Sequence, residues 1–97
     1  MITSKSSVST ANASRYLQQL SKHWSHKFDV NYTATNSTIP FSEDRTAELV
    51  AEDDRLWITL TVPDEESRVR MQKVIEDHLN RFAFKETLAY DWTAQPA

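Results

Sequence analysis

Ninety-seven residues with a formal net charge of −3 make one small domain, with room for one modest core, since folding at this size buries about 60–70% of the unfolded chain's surface. Hydrophobic residues at 39% and aromatics at 10% are too many for a disordered chain, and a weakly acidic balance argues against generic nucleic-acid binding, which needs clustered Lys and Arg. The chain has no cysteine and no glycine, which excludes disulfides, thiolate catalysis and zinc–thiolate sites, together with the glycine-rich phosphate loops of nucleotide enzymes.

In chain order, residues 1–10 are rich in Ser and Thr and show no periodicity, so they read as a flexible N-terminal tail. The opening "MITSKSSVSTANAS" lacks the apolar stretch of a secretory signal, and no apolar run approaches the about 18 residues of a membrane span. The expected location is the cytoplasm, with no membrane partner. Residues 11–93 form the single folded domain, and residues 94–97 a C-terminal tail. There is no internal repeat or linker.

The first helix is expected over residues 13–26, capped by Thr10 or Asn12. Leu17, Leu20 and Trp24 follow i, i+3, i+7 spacing, with Ala13 and Tyr16 on the same stripe. "FDVNYTAT" alternates Phe28, Val30, Tyr32 and Ala34 with polar residues and predicts a strand with one wet face. "TNST" closes a hairpin. "STIPFS" places Ile39 and Phe41 on one side of a short strand, which Pro40 confines to an edge or a bulge because it donates no ladder hydrogen bond. "RTAELVAE" predicts a third strand with Ala47, Leu49 and Ala51 inward, and "EDDR" a turn. Without glycine, such turns must rest on Asn, Asp and Ser, which tolerate left-handed backbone or form local side-chain turns.

"RLWITLTV" carries the strongest strand pattern, with Leu56, Ile58, Leu60 and Val62 on one face and Trp57, Thr59 and Thr61 on the other. Asp64 then caps a second helix over residues 64–82, with Glu65 and Glu66 at the positive end of its dipole. Met71, Ile75, Leu79 and Phe82 form its apolar stripe. Phe84 is expected to pack beneath a final strand, "ETLAYDW", with Leu88, Tyr90 and Trp92 pointing one way. The resulting fold class is α+β. It has a four- or five-stranded, mainly antiparallel sheet with two helices on one face, in the order helix, three to four strands, helix, strand.

Two surfaces invite a functional reading. His23 and His26 in "KHWSHKF" lie ~60° apart on the helical wheel, and His78 lies ~60° from the centre of the second helix's stripe. If the two helix flanks meet, His23 and His78 approach each other, and His23, His26 and His78 become candidate metal ligands. Zinc sites take three or four ligands, so two imidazoles alone do not make one. Otherwise Lys22, His23, His26 and Lys27 complement the negative end of the first helix. The second surface is the far side of the sheet, where Trp57 stands amid Thr59, Thr61, Asn31 and Thr33 on a face that two helices leave uncovered. It suits a protein partner or self-association. Arg68, Arg70 and Lys73 interleave with Glu65, Glu66, Glu76 and Asp77 as a solvated, weakly ion-paired face. No nucleophile elbow or paired-carboxylate motif stands out.

The phrases "ASRYLQQLSKHWSHKF", "IPF" and "DHLNRFAFKE…DW" resemble a bacterial family of uncharacterised small proteins, domain of unknown function 2218, from about Thr10 to Trp92. The resemblance implies a free-standing cytoplasmic domain without assigned activity. It also implies a link to siderophore-interacting flavin reductases, and so to iron handling. It carries no catalytic residues. The function expected is a small non-enzymatic binding or protein-interaction module with no cofactor; the alternative is an iron- or siderophore-linked accessory with a weak histidine metal site.

Overall fold

The computed structural model of the chain describes residues 1–96. In chain order it comprises β1 (Ile2–Ser9), α1 (Ala13–Trp24), β2 (Asn31–Tyr32), β3 (Asn36–Ser42), β4 (Arg45–Ala51), β5 (Arg55–Val62), α2 (Glu65–Phe82) and β6 (Thr93–Pro96). The strands form one antiparallel sheet in the spatial order β2-β3-β4-β5-β1-β6. The class is α+β with two helices, as the sequence predicts. The sheet has six strands rather than four or five, and the first element is a strand rather than a helix.

β5 organises the core. Leu56, Ile58, Leu60 and Val62 are all fully buried, and register sets Leu60 between Ala47 and Ser4, Ile58 between Leu49 and Ser6, and Leu56 between Ala51 and Val8. α1 adds Leu17, Leu20 and Trp24 to this layer; α2 adds Met71, Ile75 and Leu79. Each such Leu or Ile contributes about 1.5–3 kcal/mol by leaving water. α1 is also tied to β3 by the buried Ser21 and Ser37 hydroxyls at 2.6 Å, and α2 to β1 by the Gln72 amide donating to the Ser4 hydroxyl. At the start of α2, Asp64 Oδ1 accepts from the Ser67 N–H at 2.8 Å, the predicted cap.

The N-terminal residues are not a tail. β1 lies between β5 and β6 and turns Ser4, Ser6 and Val8 into the interior. A hydrophobicity pattern misses it because two of those three inward side chains are serines. Their hydroxyls are satisfied, Ser4 by Gln72 and Ser6 by Asp91, so the polar groups are buried without loss. The C-terminal expectation shifts as well. Residues 83–92 join no ladder, and the strand falls on Thr93–Pro96, mostly within the expected tail; Ala97 lies outside the described residues. "ETLAYDW" instead runs beside α2, where the Tyr90 hydroxyl donates to Asn80 Oδ1 (3.0 Å) and Trp92 Nε1 donates to Glu76 Oε2 (2.6 Å). Burial, with the charges of Glu76 and Asp77, holds the Tyr90 hydroxyl above its ordinary pKa.

Three local readings also change. Phe84 is 79% exposed rather than packed below a strand: Ala83 takes the inward position after α2, and the Lys85 ammonium stands 5.7 Å over the Phe84 ring. α1 ends at Trp24, two residues short of the expected boundary, and only Asn31 and Tyr32 of "FDVNYTAT" enter the sheet. No described residue has positive φ, so the glycine-free turns do not use left-handed backbone. The first hairpin closes over residues 33–35 instead, with Thr33 Oγ1 accepting from the N–H groups of Thr35 and Asn36.

Candidate functional site

The most developed concavity lies where the end of α1, the middle of α2 and the β3–β4 hairpin converge. It is an open groove of about 600 Å³, walled by Trp24, Phe28, Phe41, Met71 and Val74 and rimmed by His23, Lys27, Ser42, Arg45 and His78. The volume falls in the about 300–1,000 Å³ range of small-molecule sites. Its shape follows from two local events. After Trp24 the chain leaves the helix, and the N–H groups of Lys27 and Phe28 both bond the Trp24 carbonyl (3.0 and 2.8 Å), curling Phe28 back toward the hairpin. In β3, Pro40 pairs with Thr46 and Ser42 with Arg45, so Phe41 is an extra residue in a bulge. A bulge re-aims the side chain it frees, and Phe41 meets Trp24 (4.9 Å, 87°) and Phe28 (5.1 Å, 80°) edge to face. That is the arrangement aromatic quadrupoles prefer.

The three histidines divide into a pair and an outlier. The His23 and His78 rings meet across the helix seam at 5.3 Å, with Trp24 4.8 Å from His78 and Phe82 6.0 Å from His23. His78 Nδ1 donates to the Val74 carbonyl at 2.7 Å, because a carbonyl can only accept; Nε2 has no partner among the described residues. His26 does not join them. It lies past the end of α1, so no helical spacing holds it beside His23, and it is exposed away from the groove. Among the described residues, no three His, Cys, Asp or Glu side chains are grouped to hold a metal ion.

On the opposite sheet face Trp57 is 38% exposed beside its cross-strand partner Val50 at 41%. Trp57 Nε1 donates to Glu52 Oε1 (2.5 Å), and the Arg55 guanidinium sits 5.6 Å over its ring. Thr59 and Thr61 continue that face along β5. Asn31 and Thr33 do not surround Trp57. Asn31 shares the face, in the row Asn31–Thr38–Glu48–Thr59, but is three strands away, ~14 Å at ~4.8 Å per strand. Thr33 is engaged in its own turn.

A second polar cluster pins the segment after α2. One Glu86 oxygen accepts from the Tyr16 hydroxyl, Thr10 Oγ1 (3.1 Å) and Asn12 Nδ2 (3.0 Å). Those bonds, Tyr16's foremost, hold the Glu86 carboxyl below its ordinary pKa, while burial and then Glu86 itself push the Tyr16 hydroxyl up. Asp91 does the same for β1, accepting from the Ser7 N–H (2.7 Å) and the Ser6 hydroxyl (3.0 Å), and is likewise depressed. Both carboxylates act as staples between distant parts of the chain.

Sequence reasoning reaches His23 and His78 and misses the groove they rim. Phe41 and Met71 read as core, and Lys27 as a helix-end charge. The available signal is Pro40 between two apolar residues, which marks a bulge and hence a redirected Phe41. The residues that gather here fall within a match to the family described as uncharacterized protein conserved in bacteria (DUF2218), which spans residues 5–93. Among solved structures, the chain is similar to the NMR structure of PA4090 from Pseudomonas aeruginosa, at 43% identity over 96% of each chain with a TM-score of 0.81. No curated protein matches.

Proposed function

This chain belongs to the DUF2218 family of uncharacterised proteins conserved in bacteria, and on that premise we propose that it is a non-enzymatic binding module whose ligand site is the groove between α1, α2 and the β3–β4 hairpin. The observation that carries the reading is the convergence of Trp24, Phe28, Phe41 and His78 from three separate elements onto one open, largely apolar groove. The polar groups on its rim support binding over chemistry. His78 spends Nδ1 on a backbone carbonyl, and the Ser42 hydroxyl donates to Asp44 at 2.9 Å rather than to an imidazole. Neither imidazole therefore has the orienting carboxylate or the paired nucleophile of a hydrolytic site. A fragment screen followed by NMR tests it. Hits should cluster on the Met71 methyl, the Trp24 indole and the His78 ring; hits scattered over the surface, or none, would remove the groove as the site.

A second reading has its own observation, the exposed Trp57–Val50 pair on the open sheet face, which suits a protein partner or a second copy. The iron-linked alternative retains His23 and His78 as its only clustered imidazoles. Titration with Fe(II) or Zn(II) while following imidazole shifts tests it, and no shift at micromolar metal sinks it. The expected compartment is the cytoplasm; no helix among the described residues is long and apolar enough to cross a membrane.

A further inference from the structure

Resting on the groove as the ligand site, we propose that its ligand is a small amphipathic carboxylate: a flat or compact apolar body with one anionic group. Charge complementarity carries this. The chain is acidic overall, at −3, yet the groove's lining contains no Asp or Glu and four basic side chains, His23, Lys27, Arg45 and His78. A cationic groove on an acidic protein selects against cations and draws anions in. The two full cations differ. Arg45 is already engaged, facing Asp44 at 3.2 Å and Ser67 Oγ at 3.1 Å. Lys27 has no carboxylate partner among the described residues, and its ammonium stands 5.8 Å from the Phe28 ring centroid, at the groove's edge. Lys27 is therefore the principal anchor and Arg45 the lesser one. The apolar body lies among Trp24, Phe28, Phe41, Met71 and Val74, where leaving water favours binding. A carboxylate at the rim keeps its charge near solvent and gains a charge-assisted contact. His78 Nε2, unpartnered, is available to a polar atom on the body.

Three probes of one shape and different charge decide it: 2-naphthoate, 2-naphthalenemethanol and 2-naphthylmethylammonium, each titrated into the labelled full chain and followed by NMR. The anion should perturb Trp24, Met71, His23 and His78 and bind about tenfold tighter than the alcohol, the scale of one charge-assisted contact. The ammonium should bind most weakly. Lys27→Gln, an exposed change, should bring the anion to the level of the alcohol, and Arg45→Gln should weaken it less. If the alcohol binds as well as the anion, or Lys27→Gln changes nothing, the anion proposal falls while the groove stands. If none of the three perturbs the groove at millimolar concentration, both fall.

Discussion

At the scale of single residues, two carboxylates hold distant parts of the chain together. Glu86 collects three donors on one oxygen, and its pKa is depressed. A depressed folded-state value means that the folded chain prefers the ionised form. The stabilisation is present above the unfolded value of about 4.3 and is lost as pH falls through the folded value. Glu86→Gln should therefore melt earlier than the wild type near neutral pH, with the difference shrinking as pH falls through the folded value; calorimetry from neutral pH into the acid range measures it, and a pH-independent difference would contradict it. Core and surface side chains separate just as sharply. Leu20→Ala should cost about 2–5 kcal/mol in denaturant unfolding, since Leu20 is fully buried. Phe84→Ala should stay within about 0.5 kcal/mol, because Phe84 is mostly in water.

Among the elements, β1 is the most consequential. It separates β5 from β6 and pairs with both, matching β5 residue for residue along Ile2–Ser9. Removing residues 1–9 should uncover Leu56, Ile58 and Leu60 and leave β6 unpaired, so the truncated chain should lose its dispersed amide spectrum. A chain that stayed folded would show those residues to be an accessory after all. The bulge in β3 is a smaller device with a functional outcome. It frees Phe41 from the ladder, and Phe41 then joins Trp24 and Phe28 in the wall of the groove.

For the whole molecule, the two faces of the sheet behave differently. One is filled by α1 and α2 and carries the core. The other presents Trp57 and Val50 amid threonines and charges. Trp57→Ala should cost about 1 kcal/mol in unfolding, through the lost Val50 pair and Arg55 stacking, and leave the chain folded. If that face takes a partner or a second copy, sedimentation should show the complex lost in the variant; an unchanged mass leaves the face without that role.

β5, β4, α2 with its Asp64 cap, and the α+β class are legible in the residues alone, because burial of one face writes a period of two or about 3.6 into them. The approach of His23 to His78 was legible for the same reason, as both flank stripes that must face one core. Tertiary structure alone decided the rest. β1 is a strand because Gln72 and Asp91, distant in sequence, satisfy Ser4 and Ser6; serine alternation has no hydrophobic signal. The final strand moved to Thr93–Pro96 because β1 offered it an edge, while Tyr90 and Trp92 found acceptors on α2. Asn31 parted from Trp57 because strand order, which periodicity does not encode, set two strands between them. The groove exists only where a helix end, a bulge and a second helix converge, and none of the three implies the other two.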